Sequence, residues 1–459
     1  MIQLLPVLDF FARGGGGGSS SGGGGGGGGG GESLFVALGY AVGYYGTHSI
    51  KKMLGRERAK TVSAIAMVGV TVLLVAIMII GSSFIGGYII VMILIGLWIG
   101  WYTQIHDVWA KLSKKIRKTN KELAKARQTD SAWDETALHA MVQTVFLQYQ
   151  DDWTRQDASR LYEYCTADFA QKTTLLLCAL TDLHRQNAVM QPRIIKMDTV
   201  DMGDNADNNK DWFTVLIEAQ ADDRLIDVTA NKTIFVDNSN FAEFWTFKRS
   251  ESRWLLSAIE QSTADNKKTN YIIKDLAAQN GMFYSLDMGW LLIPERGQVF
   301  LDRTFGFSDI NNHVIGMYNN VLMQIYTYNS RRSKKPQDYV IGQITVPKAY
   351  GAILVRPKKR FFTFRTVEQV MPTENSQKYT FEWQEFNKKY EVYATDADRL
   401  ATFELINPKF MQMMHDIDTT LVLEVVDSII YFRVRHNASL TVYTQLLNLL
   451  KQAHKELKL

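Results

Sequence analysis

An uncharged stretch sets the strongest limit on how this chain can fold. Thr61–Ile105 contains no Asp, Glu, Lys or Arg. As one helix it would extend about 68 Å, roughly twice the thickness of a hydrocarbon core of about 30 Å. Two crossings fit this length, Thr61–Ile80 and Phe84–Tyr102, with Gly81-Ser82-Ser83 between them. We therefore predict a transmembrane hairpin; the alternative is a buried apolar hairpin of a soluble protein.

Basic residues flank this hairpin at both ends and predict its orientation. Those before it are Lys51, Lys52, Arg56, Arg58 and Lys60, and those after it are Lys111, Lys114, Lys115, Arg117 and Lys118. Loops rich in Lys and Arg remain in the cytoplasm. We therefore expect a multi-pass membrane protein whose large C-terminal region is cytoplasmic.

The region ahead of the hairpin has three parts. Met1–Phe11 is apolar but lacks the basic start and the small-residue cleavage site of a signal peptide. Gly14–Gly31 is nearly pure glycine, which has no side chain to bury, so residues 1–31 are predicted to end in a flexible tether. Within the membrane region 33–105, Ser33–Gly46 is short for a crossing and suits an interfacial or re-entrant segment.

Two G-x-x-x-G spacings occur in the apolar region. One joins Gly39 to Gly43, and the other joins Gly96 to Gly100 in the second predicted crossing. Small residues at this spacing permit close contact between membrane helices. Chance occurrence in a glycine-rich chain is the alternative explanation.

Residues 106–131 are predicted to form a basic helix and linker next to the membrane. Trp109, Leu112, Ile116 and Leu123 keep an approximately helical spacing, while lysine and arginine occupy many other positions. Such a helix can lie on an anionic leaflet; a solvated stalk is the alternative. The candidate membrane-surface residues are Lys111, Lys114, Lys115, Arg117 and Lys118.

A globular pattern covers residues 132–262. An amphipathic helix is predicted through Leu138–Trp153, followed by helices at Asp157–Asp168 and Phe169–Asn187. Strand patterns then occur at Arg193–Met202, Trp212–Ala221, Leu225–Val236, Phe241–Lys248 and Trp254–Ile259. Helices followed by a strand meander indicate an α+β fold with helices on one face of an antiparallel sheet.

This order and several local motifs resemble the Tim-forty-four-like domain family. The similarity rests on Phe146–Trp153, on Leu161 and Tyr162, and on the strand pair Glu243–Lys248 and Trp254–Ile259. The glycine-rich segment ahead of a membrane hairpin also looks like the bacterial members. The resemblance implies a cone-shaped fold of the nuclear-transport-factor-two-like class, an apolar pocket and contact with membranes or lipid. It places the protein in a bacterial inner membrane.

A linker is predicted at 263–281 and a second α+β domain at 282–459. Its strands are predicted at Tyr339–Pro347, Ala352–Arg356, Tyr379–Phe381, Tyr390–Ala394, Thr420–Val426 and Ser428–Val434, and its helices at Asp396–Glu404, Lys409–Ile417 and Leu440–Glu456. The period leaves His313–Tyr328 unassigned. Glu385–Asn387, Tyr390–Val392 and Ala401–Met411 resemble a bacterial membrane-associated domain of unknown function, which supplies no activity to transfer.

Motifs for metal, nucleotide or redox chemistry are not present in the sequence. His184, His313, His415 and His436 are dispersed, no P-loop pattern occurs, and the two cysteines, Cys165 and Cys178, lack metal-type spacing. Asp201, Asp204 and Asp207 lack the Gly and Glu of a calcium loop and suit a solvated hairpin turn. We expect no metal and no cofactor, and the net charge of +4 does not indicate a nucleic-acid partner.

Two sets of residues remain as candidates for a site in the first domain. Asp182, His184, Asp198 and Glu218 are candidates for isomerase-like proton transfer inside a cone-shaped fold, with ordinary surface charge as the alternative. The aromatic residues are the richer signal, as a core or as the lining of a pocket for an acyl chain. The candidate pocket residues are Phe146, Trp153, Phe213, Trp245, Phe247 and Trp254.

The expected function is non-enzymatic. We expect the cytoplasmic region to bind lipids of an anionic leaflet or a membrane-associated protein. The alternatives are a scaffold or chaperone-like factor for membrane-protein assembly or transport and, less favoured, an isomerase-like enzyme.

Overall fold

A computed structural model describes residues 31–54, 56–81, 84–102, 111–261, 269–289, 291–292, 308–330, 337–358, 371–417 and 421–457. The apolar start and most of the predicted glycine tether therefore lie outside the described residues. So do residues 82–83 of the break between the crossings, residues 103–110, and residues 263–268 of the predicted linker.

Three helices form the N-terminal region: α1 (Gly31–Leu54), α2 (Arg56–Gly81) and α3 (Phe84–Tyr102). Helix α1 continues well beyond the apolar segment 33–46. Among the described residues, one helix segment, Val62–Ile80 of α2, is long and apolar enough to cross a membrane, and the shorter apolar segment Tyr88–Tyr102 lies in α3. The two crossings predicted from the sequence thus fall on two helices, of which one meets that criterion.

The first globular unit is α+β, as predicted. Four helices, α4 (Lys111–Ala126), α5 (Glu135–Arg155), α6 (Leu161–Tyr164) and α7 (Ala167–Asp182), precede five antiparallel strands. The strands are β1 (Arg185–Gly203), β2 (Trp212–Asp227), β3 (Lys232–Asp237), β4 (Phe241–Ser250) and β5 (Arg253–Gln261), and the main sheet order is β1-β2-β4-β5 with β3 beside β2.

Several predicted elements of this unit have different bounds; strand β1, for example, begins at Arg185, eight residues before the predicted start at Arg193. The helix expected at Asp157–Asp168 shrinks to α6 because Cys165 adopts an extended conformation and pairs with Leu256 of β5. Helix α7 ends at Asp182, five residues before the predicted end at Asn187, because His184 has a φ of 54° and turns the chain into β1. The single strand expected at Leu225–Val236 is a hairpin that turns at residues 228–231.

The second unit contains a larger antiparallel sheet. Its strands are β6 (Phe283–Gly289), β7 (Ser308–Tyr318), β8 (Val321–Ser330), β9 (Gln337–Pro357), β10 (Ser376–Tyr379), β11 (Tyr390–Thr395) and β12 (Leu421–Val434), in the order β10-β11-β9-β8-β7-β6 with β12 beside β9. Its helices are α8 (Tyr271–Gln279), α9 (Gln384–Lys389), α10 (Arg399–Leu405), α11 (Pro408–His415) and α12 (Leu440–Glu456).

Two predicted strand pairs in this unit are each one long strand. Strand β9 runs through both predicted segments, and β12 does the same across a bulge at Asp427, whose φ is 51°. The bulge reverses the alternation of side chains along β12. The register with β9 shifts at this point, because Asp427 pairs with Tyr350 and Ile429 pairs with Thr345, so the additional residues lie on β9.

The two units share a hydrophobic core through alternate residues of the larger sheet. Ile315, Tyr326 and Ile341 belong to the core of the first unit, where α7 contacts β7 and β8. Their sequence neighbours point to the opposite face, where α8, α11 and α12 supply a separate core. Because both faces of the sheet are buried, apolar residues on its central strands occur at neighbouring positions, such as Val314 and Ile315 or Val340 and Ile341.

Candidate functional site

Helices α1 and α3 pack in parallel through their four glycines. A Cβ built on Gly39 would overlap the carbonyl oxygen of Ile93 and lie 2.9 Å from the nitrogen of Leu97. In the reciprocal direction, a Cβ on Gly96 would overlap the carbonyl of Val36. Gly43 and Gly100 repeat this arrangement one turn further along both helices. The two G-x-x-x-G spacings therefore face each other and allow direct backbone contact.

Helix α2 runs antiparallel to α3 and is tied to it by side-chain hydrogen bonds. Trp98 Nε1 donates to Thr71 Oγ1 at 3.1 Å, and Trp101 Nε1 donates to Ser63 Oγ at 3.2 Å. Each hydroxyl belongs to α2 and each indole to α3. Hydrogen bonds of this kind between helices replace contacts that a lipid environment cannot supply.

The outward surface of the three helices is apolar. Residue exposure reaches 67% at Ile65, 72% at Ile79 and 84% at Ile80 on α2. Helices α1 and α3 also expose large apolar side chains, among them Leu38, Val42, Val91, Ile95 and Ile99. An apolar surface of this extent is unfavourable in water and marks a contact with lipid or protein.

Helix α4 packs on the first globular unit through its apolar face. Leu112 and Leu123 are buried in the core of that unit. Thr119 Oγ1 donates to the carbonyl oxygen of Val200 on β1 at 3.1 Å, and Lys115 Nζ lies 2.8 Å from Asp201 Oδ2. The apolar face of α4 is therefore covered by protein and is not available for insertion into a leaflet.

The opposite face of α4 is basic and exposed. Of the candidate membrane-surface residues, Lys114, Arg117 and Lys118 lie on this face, whereas Lys115 is half-buried against Asp201. Lys111 begins the helix, and its side chain lies outside the described part of the chain. Lys121 and Lys125 extend the exposed basic face toward the C-terminus of α4. The helical period places both residues on the same side as Lys114 and Lys118, so the sequence alone is sufficient to predict this extension.

The aromatic pocket candidates lie in the packed core of the first unit. Phe146 packs on Trp245 with ring centroids 5.3 Å apart, and Phe213 stacks on Phe247 at 5.2 Å. These four side chains are each 0% exposed. Two further candidates complete the set: Trp153 Nε1 donates to Asn187 Oδ1 at 2.9 Å, and partly buried Trp254 lies edge-on to Phe213. Contacts among aromatic rings account for all six positions as core.

The four carboxylate and histidine candidates fall into two separate groups. Asp198 and Glu218 lie beside Lys196 on the β1–β2 pair, where Lys196 is 3.5 Å from Asp198 and is the register partner of Glu218. Asp182 and His184 line a cleft of about 30 Å³ between the two units. Space of this size suits a water molecule rather than an organic substrate. The structure does not bring the four together.

Asp182 connects the two units. Its carboxylate accepts a hydrogen bond from Thr345 Oγ1 at 2.8 Å. Burial raises the pKa of Asp182 above the usual range, and the Thr345 hydrogen bond opposes that shift. The contact is part of the interface between the units.

A buried histidine at the same interface was not singled out by its sequence. His313 is 0% exposed, and its Nε2 lies 2.8 Å from Gln324 Oε1. Burial lowers the pKa of His313, the hydrogen bond with Gln324 opposes this shift, and the positive charge of Lys172 on α7 adds to it; the resulting pKa is about 4. The imidazole is therefore neutral at physiological pH. Only the packing of α7 on the larger sheet creates this environment.

No metal-type cluster of three or more His, Cys, Asp or Glu side chains occurs among the described residues. Asp204 and Asp207 lie exposed in the β1–β2 connection, and Asp201 pairs with Lys115. Cys165 is buried, Cys178 is exposed, and both are free thiols.

Comparisons with known proteins add little. No protein-family model matches the chain, and no curated protein matches it. The crystal structure of the mycobacterial trehalose monomycolate transport factor A, TtfA, is similar at 12% identity over 41% of this chain and 93% of that chain, with a TM-score of 0.29. The intermembrane space region of the chloroplast protein ARC6 is similar at 14% identity over 28% of this chain and 97% of that chain, with a TM-score of 0.22. These TM-scores are too low to establish a shared fold or to transfer a function.

Proposed function

We propose that this chain is a non-enzymatic, membrane-anchored protein whose α1, α2 and α3 cross a bilayer together. The observation that carries the proposal is the apolar outer surface of these helices, combined with glycine packing and hydrogen bonds on their inner surfaces. A buried helical hairpin of a soluble protein has the reverse distribution, with its apolar residues inside. Only 11% of the candidate span Val62–Ile80 is buried.

The directions of the helices support the proposed topology. Helices α1 and α3 are parallel and α2 is antiparallel, so the end of α1, the start of α2 and the end of α3 lie on one side. The basic residues at positions 51–60 and 111–118 follow the same side. The positive-inside rule makes this side cytoplasmic. A third crossing by α1, which the sequence alone did not predict, then places Gly31 on the opposite side.

The proposed activity is binding at the cytoplasmic surface of an inner membrane. The basic face of α4 is rigidly attached to the first unit and follows the membrane region directly. Each lysine or arginine near an anionic leaflet contributes about 1 kcal/mol, and salt screens this attraction. Anionic lipid is the favoured partner, and a membrane-associated protein with an acidic surface is the alternative.

The Tim-forty-four-like resemblance is retained as a proposal about descent. Helices α5–α7 packed against a five-stranded antiparallel sheet support the cone-shaped architecture that the resemblance implies. The aromatic side chains proposed to line its pocket fill the core. We therefore assign the interaction with lipid to the surface of α4 and not to an interior cavity.

Flotation with vesicles tests this assignment. A fragment of residues 111–459 keeps all of the globular core and is mixed with phosphatidylglycerol or phosphatidylcholine vesicles at low and at high salt. We expect flotation with phosphatidylglycerol at low salt and loss at high salt. The triple variant Lys114→Gln, Lys118→Gln and Lys121→Gln is expected not to float.

A matched control removes three exposed lysines from other surfaces: Lys210→Gln, Lys232→Gln and Lys388→Gln. This variant is expected to float like the wild type. Equal flotation of both triple variants would contradict a role for α4. An absence of flotation in the wild-type fragment would favour a protein partner over lipid.

A further inference from the structure

A surface groove lies on the second unit, in a part of the chain well separated in sequence from α4. It has a volume of about 690 Å³, within the range of small-molecule sites. The turn between β7 and β8, helix α11 and the C-terminal half of α12 form its walls. The lining residues are Tyr318, Asn319, Lys409, Met413, Asn448, Lys451, Gln452, His454 and Lys455.

The groove is positively charged. Lys409 comes from α11, and Lys451 and Lys455 come from α12. Lys451 Nζ donates to Asn280 Oδ1 at 3.0 Å and lies 5.4 Å from the centroid of the Tyr318 ring, so its position is fixed without a carboxylate. In the part of the chain that the structure describes, none of these three lysines forms an ion pair with Asp or Glu.

A buried histidine reaches the same groove. His454 is 6% exposed, and its ring lies edge-on to Tyr318 with centroids 5.3 Å apart. Among the described residues, its Nε2 atom has no hydrogen-bond partner although it is buried. A buried polar atom left without a partner costs about 1–3 kcal/mol. An external ligand that bonds to this nitrogen removes the cost.

The dipole of α12 explains part of this arrangement but not all of it. Lysine and histidine in a last helical turn offset the partial negative charge of that helix end. Lys409 belongs to another helix, so the dipole of α12 does not account for its position. The unpartnered Nε2 of His454 likewise has no role in capping α12, because the N–H of Leu457 donates the final backbone bonds to the carbonyls of Ala453 and Lys455. The carboxylate of Glu456, next to Lys455 in the chain, accepts a hydrogen bond from Gln452.

We propose that this groove binds a small anion that carries a phosphate group. Lysine ammonium groups act as point charges toward phosphate oxygens, and imidazole and amide groups add directional hydrogen bonds. The volume exceeds what a phosphate ion alone requires, so the ligand carries a further polar body beside Tyr318 and Asn319. A soluble phosphate ester and the headgroup of a phospholipid share this chemistry. The proposal does not depend on the membrane contact assigned to α4.

Isothermal titration calorimetry of the full chain in a non-ionic detergent tests the groove. The probes are inorganic phosphate, sn-glycerol 3-phosphate and a short-chain phosphatidylglycerol that dissolves as monomers. We expect saturable binding of at least one ester, with inorganic phosphate weaker. Binding of glycerol phosphate identifies a soluble ligand, and binding of the phosphatidylglycerol alone identifies a lipid headgroup.

Variants separate the groove from other basic surfaces. The double variant Lys409→Gln and Lys455→Gln changes exposed side chains only, and we expect binding at least tenfold weaker. His454→Phe is expected to abolish the specificity for the ester over inorganic phosphate. Lys210→Gln with Lys388→Gln is the matched control and is expected to leave the affinity unchanged. No binding of any probe, or equal affinity in the double variant and the control, would overturn the proposal.

Discussion

Gly39 of α1 lies directly against the backbone of Ile93 on α3, with no space for a side chain between them. The contact is reciprocal, because Gly96 of α3 lies in the same way against Val36 of α1. Helices approach this closely only where both surfaces lack Cβ atoms. The pair thereby gains van der Waals and Cα–H···O contacts that do not depend on the hydrophobic effect. This mode of association is suited to a bilayer, where lipid chains compete with apolar side chains.

Substitution of Gly96 by leucine should separate α1 from α3. The new side chain would overlap the Val36 carbonyl and the nitrogen of Tyr40, which is 2.8 Å from the Cβ position. Overpacking of this kind costs about 1–3 kcal/mol or more. Thermal unfolding in detergent is expected to show a lower midpoint. Gly69→Leu on α2 is the control, since nothing lies within 4 Å of its Cβ position; an equal loss in both variants would contradict the packing role.

The buried His313 should make stability depend on pH. Its folded-state pKa of about 4 is below the ordinary value of 6.5, so the unfolded chain binds the proton more readily. The stabilising contribution is complete above pH 6.5 and is lost as the pH falls toward 4. Linkage predicts a loss of about 2 kcal/mol in the free energy of unfolding between pH 7 and pH 5 from this residue.

Urea unfolding of the 111–459 fragment measures this contribution as a difference. His313→Phe keeps an aromatic side chain at the buried position but does not titrate. The free energy of unfolding of this variant is expected to be lower than that of the wild type at pH 7, because Gln324 loses its hydrogen-bond partner. Between pH 7 and pH 5, however, the free energy of unfolding should fall less in the variant than in the wild type. Parallel declines in the two proteins would show that another group is responsible.

The contact between Asp182 and Thr345 predicts different effects of two conservative variants on the free energy of unfolding. Asp182→Asn keeps an oxygen that accepts the Thr345 hydrogen bond and removes a partly buried charge, so stability at pH 7 should not decrease. Thr345→Val removes the donor and should lower the free energy of unfolding by about 1–2 kcal/mol. Urea unfolding at neutral pH compares them; a large loss in Asp182→Asn would show that the negative charge itself stabilises the interface.

Local patterns predicted some elements well. Helix α12 has the predicted bounds because Ser439 caps its first turn and its apolar residues follow the helical period. The sequence pattern does not identify the β7–β8 hairpin, for a physical reason. Val314 faces one core and Ile315 the other, so the strand lacks the alternation that identifies a half-buried strand. Asn319 and Asn320, with φ of 46° and 64°, form the turn that an Asn pair favours.

Functional surfaces were harder to predict because they depend on distant segments. The sequence shows the two G-x-x-x-G spacings that begin at Gly39 and Gly96. It does not show that the two helices carrying them face each other. Lys409 and His454 belong to different helices, and no local spacing connects them. The basic stripe of α4 was predicted, whereas its rigid attachment to β1 through Thr119 required the folded chain.

The central claim is that three helices cross the membrane with the globular units on the cytoplasmic side. Cysteine accessibility in bacterial spheroplasts tests it most directly, in a Cys178→Ser background because Cys165 is buried. An impermeant maleimide is expected to label Ser33→Cys in intact spheroplasts and Lys114→Cys only after permeabilisation. Labelling of Ser33→Cys only after permeabilisation would contradict the crossing by α1. Labelling of Lys114→Cys in intact spheroplasts would contradict the orientation.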